Sequence, residues 1–299
     1  MSAKLTRHLI RPLVLLFAGA GTLVLTTGPA SAAVPGLVRV SATSVNDASN
    51  FKTVTATCPA GKQLTGTGYE IDGATGEVVI DELVMNGSSV TAPTLVTVDA
   101  YEEDPLATPW RVTAYAICAN PLPGLVRVSA VGPTNSDDFH STTATCPAGK
   151  TLTGAGFTRA GIAGEAVVDD FRPNGGTAAA PTAITVGAFE TDPNFAFNWS
   201  LNAYAICANP LPGQSRVLLS GASSSDDVHL DTTVCPPGRT LIGSGFEVTG
   251  ATGETVVDDF TPNGGTATAP NAITTGAYEA DPNYVPAWTV DTYGICANA

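Results

Sequence analysis

Polar and apolar residues alternate along most of this chain, and the alternation is clearest in one segment that occurs three times. From Trp110 to Asn120 it places Trp110, Val112, Ala114, Ala116 and Cys118 on one face of an extended strand, with Arg111, Thr113, Tyr115 and Ile117 on the other. The second face starts polar and ends apolar, so the strand begins half exposed and finishes buried. A helix fits worse, because the run is β-branched and aromatic and stops at Asn-Pro. The segment returns at Trp199–Asn209 and Trp288–Asn298, each time closing a unit that opens on Cys-Pro-x-Gly.

In the opening stretch, Leu64, Gly66 and Gly68 share a face, as do Leu152, Gly154, Gly156 and Leu241, Gly243, Gly245. Glycine at alternate strand positions weakens a strand unless another group needs the vacated space. The expectation is that the closing-strand tryptophan, or neighbouring backbone, lies over that glycine face. A nucleotide fingerprint is not supported, since no helix pattern follows and the third glycine is missing.

Six short strands are expected per unit. In the second they are Leu125–Ala130, Ser141–Cys146, Thr151–Arg159, Glu165–Phe171, Ala183–Glu190 and Trp199–Cys207. Turn signals such as Pro-Ala-Gly, Pro-Asn-Gly-Gly and Asp-Pro-Asn separate them. No stretch after the first 32 residues shows a 3.6-residue apolar period.

The six cysteines Cys58, Cys118, Cys146, Cys207, Cys235 and Cys296 repeat at steps of 88 or 89 residues. The units are therefore domain-sized: 33–120, 121–209 and 210–299, with 1–32 as a signal peptide. Among the fifteen formal pairings the repeat favours Cys58–Cys118, Cys146–Cys207 and Cys235–Cys296. Each bridge would close a loop worth about 4 kcal/mol in the chain-entropy model. The linkers Asn120–Gly124 and Asn209–Gly213 are short and stiffened by proline.

The fold class expected is all-β: three tandem disulfide-stapled antiparallel domains, sandwich-like or barrel-like, or alternatively one pseudo-threefold β-prism. An immunoglobulin domain has similar cysteine spacing, but there the tryptophan follows the first cysteine closely. Here Trp110 stands near the second.

Lys4, Arg7 and Arg11 precede an apolar run from Leu13 to Leu25 and then Ala30-Ser-Ala32, the pattern of a secretory signal cut after Ala32. No cysteine sits at the cut, so no lipid anchor is expected there. Loss of those three cations takes the formal charge from −14 to −17. Such an acidic chain is a poor partner for nucleic acid or anionic membrane. The expected location is extracellular, where disulfides persist.

The Cys-Pro-x-Gly-x-x-Leu-x-Gly-x-Gly opening and the Tyr-x-Ile-Cys-Ala-Asn ending resemble a repeat of secreted proteins from high-GC Gram-positive bacteria. The resemblance covers nearly the whole mature chain and implies export and a disulfide-bonded β module. It brings no activity and no site residues with it.

No catalytic set is expected. His140 and His229 each end a Ser-Asp-Asp-x-His run, with Asn50 at the matching place in the first unit. Such a run is too compact for a triad, whose members converge from separate elements. The pairs Asp169–Asp170 and Asp258–Asp259 would point to opposite faces of a strand, so they are read as marking a strand end rather than flanking one bond.

An acidic constellation recurs as Asp169, Asp170, Asn174, Glu190, Asp192, Asn194 and as Asp258, Asp259, Asn263, Glu279, Asp281, Asn283. The first unit keeps Asp81, Glu82, Asn86, Glu102 and Asp104 but has Leu106 where an asparagine is expected. Oxygen-rich loops can hold calcium, although no recognised ligand spacing appears and ordinary turn chemistry explains the same residues. No other cofactor is implied. Phe195 and Tyr284 beside these loops suggest a sugar-binding shelf, whereas Tyr101, Phe189 and Tyr278 are read as partly core.

The function expected is non-enzymatic multivalent binding, of cell-surface or environmental glycans. An extracellular structural or protein-contact module and a secreted inhibitor are the alternatives. Arg172 is the one candidate for an inhibitor's exposed basic residue, with Thr261 in its place in the third unit.

Overall fold

The computed structural model describes residues 34–89, 91–191, 195–280 and 286–299; the expected signal peptide lies outside them. Eighteen strands follow one another with no helix between them among the described residues. Repeat 1 contributes β1 (Val38–Thr43), β2 (Phe51–Thr57), β3 (Gln63–Asp72), β4 (Val78–Ser89), β5 (Ala92–Glu102) and β6 (Arg111–Ala119). Repeat 2 contributes β7 (Val126–Val131), β8 (Phe139–Thr145), β9 (Thr151–Ala160), β10 (Ala166–Asn174), β11 (Ala183–Glu190) and β12 (Ser200–Ala208). Repeat 3 contributes β13 (Ser215–Ser220), β14 (Val228–Val234), β15 (Arg239–Thr249), β16 (Thr255–Asn263), β17 (Ala272–Glu279) and β18 (Thr289–Asn298).

All six strands expected in repeat 2 are present. β8 starts earlier, at Phe139, and β10 runs on through Pro173 to Asn174. In β2 and β8, exposed and buried residues alternate strictly, so Val54, Ala56 and Ala144 face inward as period-2 patterning requires.

The strands form three six-stranded antiparallel sheets, ordered β1-β6-β3-β16-β17-β14, β13-β18-β15-β10-β11-β8 and β2-β5-β4-β9-β12-β7. Each sheet takes three strands from one repeat and three from another. Every repeat therefore lends one half to each of two sheets, and the three close a cycle. Ala32–Ala299 is accordingly one compact unit. The all-β antiparallel class is as expected, and of the two arrangements left open the sharing of sheets is that of the pseudo-threefold one. The paired bridges within a sheet are few at each seam: Asp170–Glu247 and Phe171–Phe246, Asp259–Glu70 and Phe260–Tyr69, Glu82–Thr158 and Leu83–Phe157.

The alternate glycines explain how the inner strands meet. A Cβ on Gly66 would lie 2.8 Å from Gly243 Cα, one on Gly154 2.7 Å from Gly66 Cα, and one on Gly243 3.0 Å from Gly154 Cα. The strands β3, β9 and β15 thus touch backbone to backbone around one axis. Of the two expected coverings of the glycine face, backbone is the one found, and it belongs to the next repeat. The tryptophans sit elsewhere.

Above the glycines, Tyr69, Phe157 and Phe246 interleave with Leu83, Phe171 and Phe260 from the neighbouring repeats, all buried. Ring centroids stand 5.2–5.7 Å apart, with edge-on pairs such as Phe171 and Phe260. Each fully buried ring contributes roughly 1.5–3 kcal/mol by area, and all three repeats supply rings to this layer.

The three expected disulfides are formed, with Cα–Cα separations of 5.7, 5.7 and 5.8 Å. All stay inside their own repeat and tie its two halves together. The Pro-Gly turns of the linkers need glycine: at Gly124, φ is +68° and Asn209 Oδ1 and Lys150 Nζ crowd the space a Cβ would take.

Candidate functional site

The paired aspartates mark bulges in mid-strand, not the strand ends expected. In β4, β10 and β16 the register shifts between Ile80 and Glu82, Val168 and Asp170, and Val257 and Asp259. The extra residue is Asp81, Asp169 or Asp258. A bulge re-aims its side chain, and each of these carboxyls turns into the protein, 5%, 1% and 2% exposed. There each accepts a backbone hydrogen bond from a glycine of another repeat. Asp258 Oδ2 takes Gly76 N at 2.8 Å, Asp169 Oδ2 takes Gly253 N at 2.9 Å, and Asp81 Oδ1 takes Gly164 N at 3.3 Å. One stitch thus recurs around the cycle.

The stitches differ in charge. Burial holds Asp169 and Asp258 well above the usual carboxylate range. The Oδ1 atoms of both have no hydrogen-bond partner. Asp81 is raised by burial too, but Arg159 draws it back. The Arg159 guanidinium bonds Asp81 Oδ1, the Ile80 carbonyl at 2.9 Å and the Ala166 carbonyl. Ile71 and Val248 hold its place in the other repeats.

The remaining acidic residues are distributed rather than gathered. Glu102, Glu190 and Glu279 each accept the indole N–H of a buried tryptophan, Trp110, Trp199 and Trp288, at 2.6, 2.6 and 2.7 Å. Glu102 also accepts Leu106 N at 2.9 Å, closing its own loop. Asn174 and Asn263 donate to Thr185 and Thr274 at 2.6 Å. Asn86 accepts from Arg127 at 3.1 Å. Asp192, Asn194, Asp281, Asn283 and Tyr284 lie outside the described residues. Among the described residues no group of three or more His, Cys, Asp or Glu is placed to hold a metal ion.

The histidines lie against tryptophan. His140 and His229 sit with ring centroids 3.9 Å from Trp199 and Trp288. In repeat 1 the partner is Lys52, its Nζ 4.5 Å from the Trp110 ring centroid. Lys52, not Asn50, is therefore the counterpart of His140. Burial lowers the His140 pKa, against the pull of Asp137. Arg172, the candidate inhibitor residue, is within β10 and bonded to Glu247 at 2.9 Å across a seam, not on a rigid loop tip.

A second repeated set pairs arginine with tyrosine. At each seam an arginine of the first strand lies over a tyrosine of the last: Arg39 over Tyr115, Arg127 over Tyr204 and Arg216 over Tyr293, 6.0, 5.4 and 5.8 Å from the ring centroids. Tyr115 donates to Glu70 and Tyr293 to Glu247. Burial raises the tyrosine hydroxyls, and these bonds to the carboxylates raise them further.

Further along each sheet stands a ring pair. Phe51 and Tyr101 lie tilted to each other at 4.5 Å and Phe139 and Phe189 stack at 4.3 Å, while repeat 3 has Val228 opposite Tyr278. Phe51 and Phe139 are 39% and 42% exposed, enough to offer a ring edge or face to a ligand. A carboxylate adjoins each pair. The Asp170 carboxylate and the Phe139 ring share the space above Gly187, and Tyr278 donates to Asp259 at 3.2 Å. Near Tyr101 the acids are Asp99 and Glu82, which face each other in the β4–β5 register. Burial raises Glu82, Asp170 and Asp259. Tyr101, Phe189 and Tyr278 are half-buried, partly core as expected; the alternation of β2 and β8, with Phe51 and Phe139 on the exposed phase, is the signal that locates the pairs. Phe195, by contrast, packs on the core and against Phe197.

No helix among the described residues is long and apolar enough to cross a membrane, and three disulfides suit an oxidising compartment. The chain matches no protein-family model and no curated protein.

Proposed function

We propose that this chain is an exported, non-enzymatic protein that binds glycans multivalently through the outer faces of its three sheets. The observation that carries this reading is the exposed ring pair beside a carboxylate, repeated at Phe51 and Tyr101, at Phe139 and Phe189, and in reduced form at Val228 and Tyr278. A pyranose has apolar C–H faces that lie on aromatic rings and a rim of hydroxyls that donate to carboxylates. Three such faces fixed on one rigid body gain avidity through effective concentration. Calcium has no part in this reading, because the inward acids already serve the fold.

The test is a glycan array probed with and without calcium. Binding that survives calcium removal and falls at least tenfold in Phe51→Ala/Phe139→Ala supports the reading. Silence under both conditions overturns it. A protein-contact role is the second reading, favoured by β14, which exposes Val228, Leu230 and Val234; substitution of those three by Ser, as against the ring pairs, separates the two.

A further inference from the structure

The three joints between repeats differ at one place. After the glycine of each Pro-Gly turn comes Leu37, Leu125 or Gln214, and each repeat's third strand begins beside Gln63, Thr151 or Thr240. Where repeat 2 meets repeat 3, Gln214 is 6% exposed and its carboxamide is bonded at both ends. Its Oε1 accepts from Thr151 Oγ1 at 2.7 Å and from Leu211 N at 3.3 Å, and its Nε2 donates to the Leu152 carbonyl at 2.7 Å. Where repeat 1 meets repeat 2, the residues are Gln63 and Leu125; Gln63 Nε2 reaches the Thr91 carbonyl at 3.5 Å and its Oε1 has no partner. Where repeat 3 meets repeat 1, neither glutamine is present: the residues are Thr240 and Leu37.

At that third joint Leu37 cannot bond, and Thr240 Oγ1 is left without a hydrogen-bond partner although the residue is only 5% exposed. The surrounding backbone keeps its geometry, since Leu241 N donates to Pro270 O at 2.8 Å as Leu152 N does to Pro181 O at 2.8 Å. A cavity of about 490 Å³ opens there, lined by Val34, Leu37, Val38, Pro59, Ala269 and Thr240 among others. Lys62 at its rim is occupied by the Gly36 carbonyl and Asn120.

We propose that this cavity is a small-molecule site for a primary carboxamide carried on a branched or cyclic apolar body. The fold itself displays the recognition: at the neighbouring joint a carboxamide takes a threonine hydroxyl and gives an N–H to the carbonyl of the next residue. The ligand amide does the same with Thr240 and the Leu241 carbonyl, and its apolar body lies on Val34, Val38, Pro59 and Ala269. A buried hydroxyl left unsatisfied is costly, and a ligand that satisfies it recovers that cost. The site is separate from the outer sheet faces.

The test titrates full-length protein with cyclohexanecarboxamide and with cyclohexyl methyl ketone, its isostere lacking the N–H, followed by NMR. The amide is expected to shift Leu37, Thr240 and Ala269 and to bind about fivefold more tightly than the ketone. Leu37→Gln, which installs the repeat-3 residue, is expected to abolish binding. Thr240→Val is expected to weaken it about fivefold. Indistinguishable amide and ketone, undiminished binding to Leu37→Gln, or no shift in the unmodified protein overturns the proposal. None of these outcomes bears on glycan binding.

Discussion

A methyl group on Gly154 decides between two pictures of how the repeats are held. In an ordinary strand, glycine to alanine removes backbone freedom from the unfolded chain and stabilises by roughly 0.5–1 kcal/mol. Gly154 is not in an ordinary place. Its added Cβ would stand 2.7 Å from Gly66 Cα, with the Thr65 carbonyl closer still, and neither can rotate away because both are backbone. Contact distances between carbons are about 3.5–4.0 Å, so β3 and β9 would have to separate by on the order of 1 Å. Overpacking of this kind costs about 1–3 kcal/mol, and the axial location favours the upper end because the aromatic ring layer must open as well. At roughly 2–4 °C per kcal/mol for a protein of this size, Gly154→Ala should lower the midpoint of thermal unfolding by about 6–12 °C. Gly294→Ala is the control, since Ala116 and Ala205 already occupy its position in the other repeats; it should change the midpoint by no more than about 2 °C. Calorimetry of the two variants gives the answer. An unchanged or raised midpoint in Gly154→Ala would refute the axial packing.

The buried acids predict a pH response. Folded Asp169 and Asp258 have raised pKa values, so the folded state holds protons that the unfolded chain releases near pH 4, and stability falls as pH rises above that value. Asp169→Asn/Asp258→Asn should flatten this decline in urea midpoints measured from acid to alkaline pH; a decline of the same slope would contradict it. Arg159→Met strands Asp81 in the interior and should cost about 3–5 kcal/mol, with Asp81→Asn restoring much of it; additive losses in a double-mutant cycle would show that the two do not interact. Because Ala299 and Val34 border the same cavity, a circular permutant joining them and opened between Asn209 and Pro210 should fold and retain all three disulfides, as circular dichroism and non-reducing peptide mapping would report.

Much of the local structure is legible in the residues themselves. Strict alternation in Phe139–Thr145 announces a strand with one buried face, and the recurrence of cysteine fixes which bridges form. What local periodicity cannot carry is the identity of a strand's neighbour across a seam. Phe171 faces Phe246 of another repeat, and nothing in either strand's pattern names the other. The glycine face did signal that something close must cover it, yet backbone of the next repeat leaves no side-chain signature. Bulges are equally silent: two adjacent aspartates read as alternating, whereas the extra residue at Asp169 turns that carboxyl inward and leaves Asp170 half-buried. Pro173 reads as a turn but stays within β10, where its ring packs on the Cα of Gly245 in the space a side chain would need. Lys52 and His140 each stand six residues before the first cysteine of their repeat, and both side chains lie against a tryptophan.

Three repeats make one body by exchanging halves of their sheets. The decisive material is repeat 2 alone, residues 121–209, oxidised and examined by NMR and analytical ultracentrifugation. The monomer should be unfolded despite its disulfide, and any folded material should be trimeric. A folded monomer with dispersed resonances and a cooperative melt would contradict it.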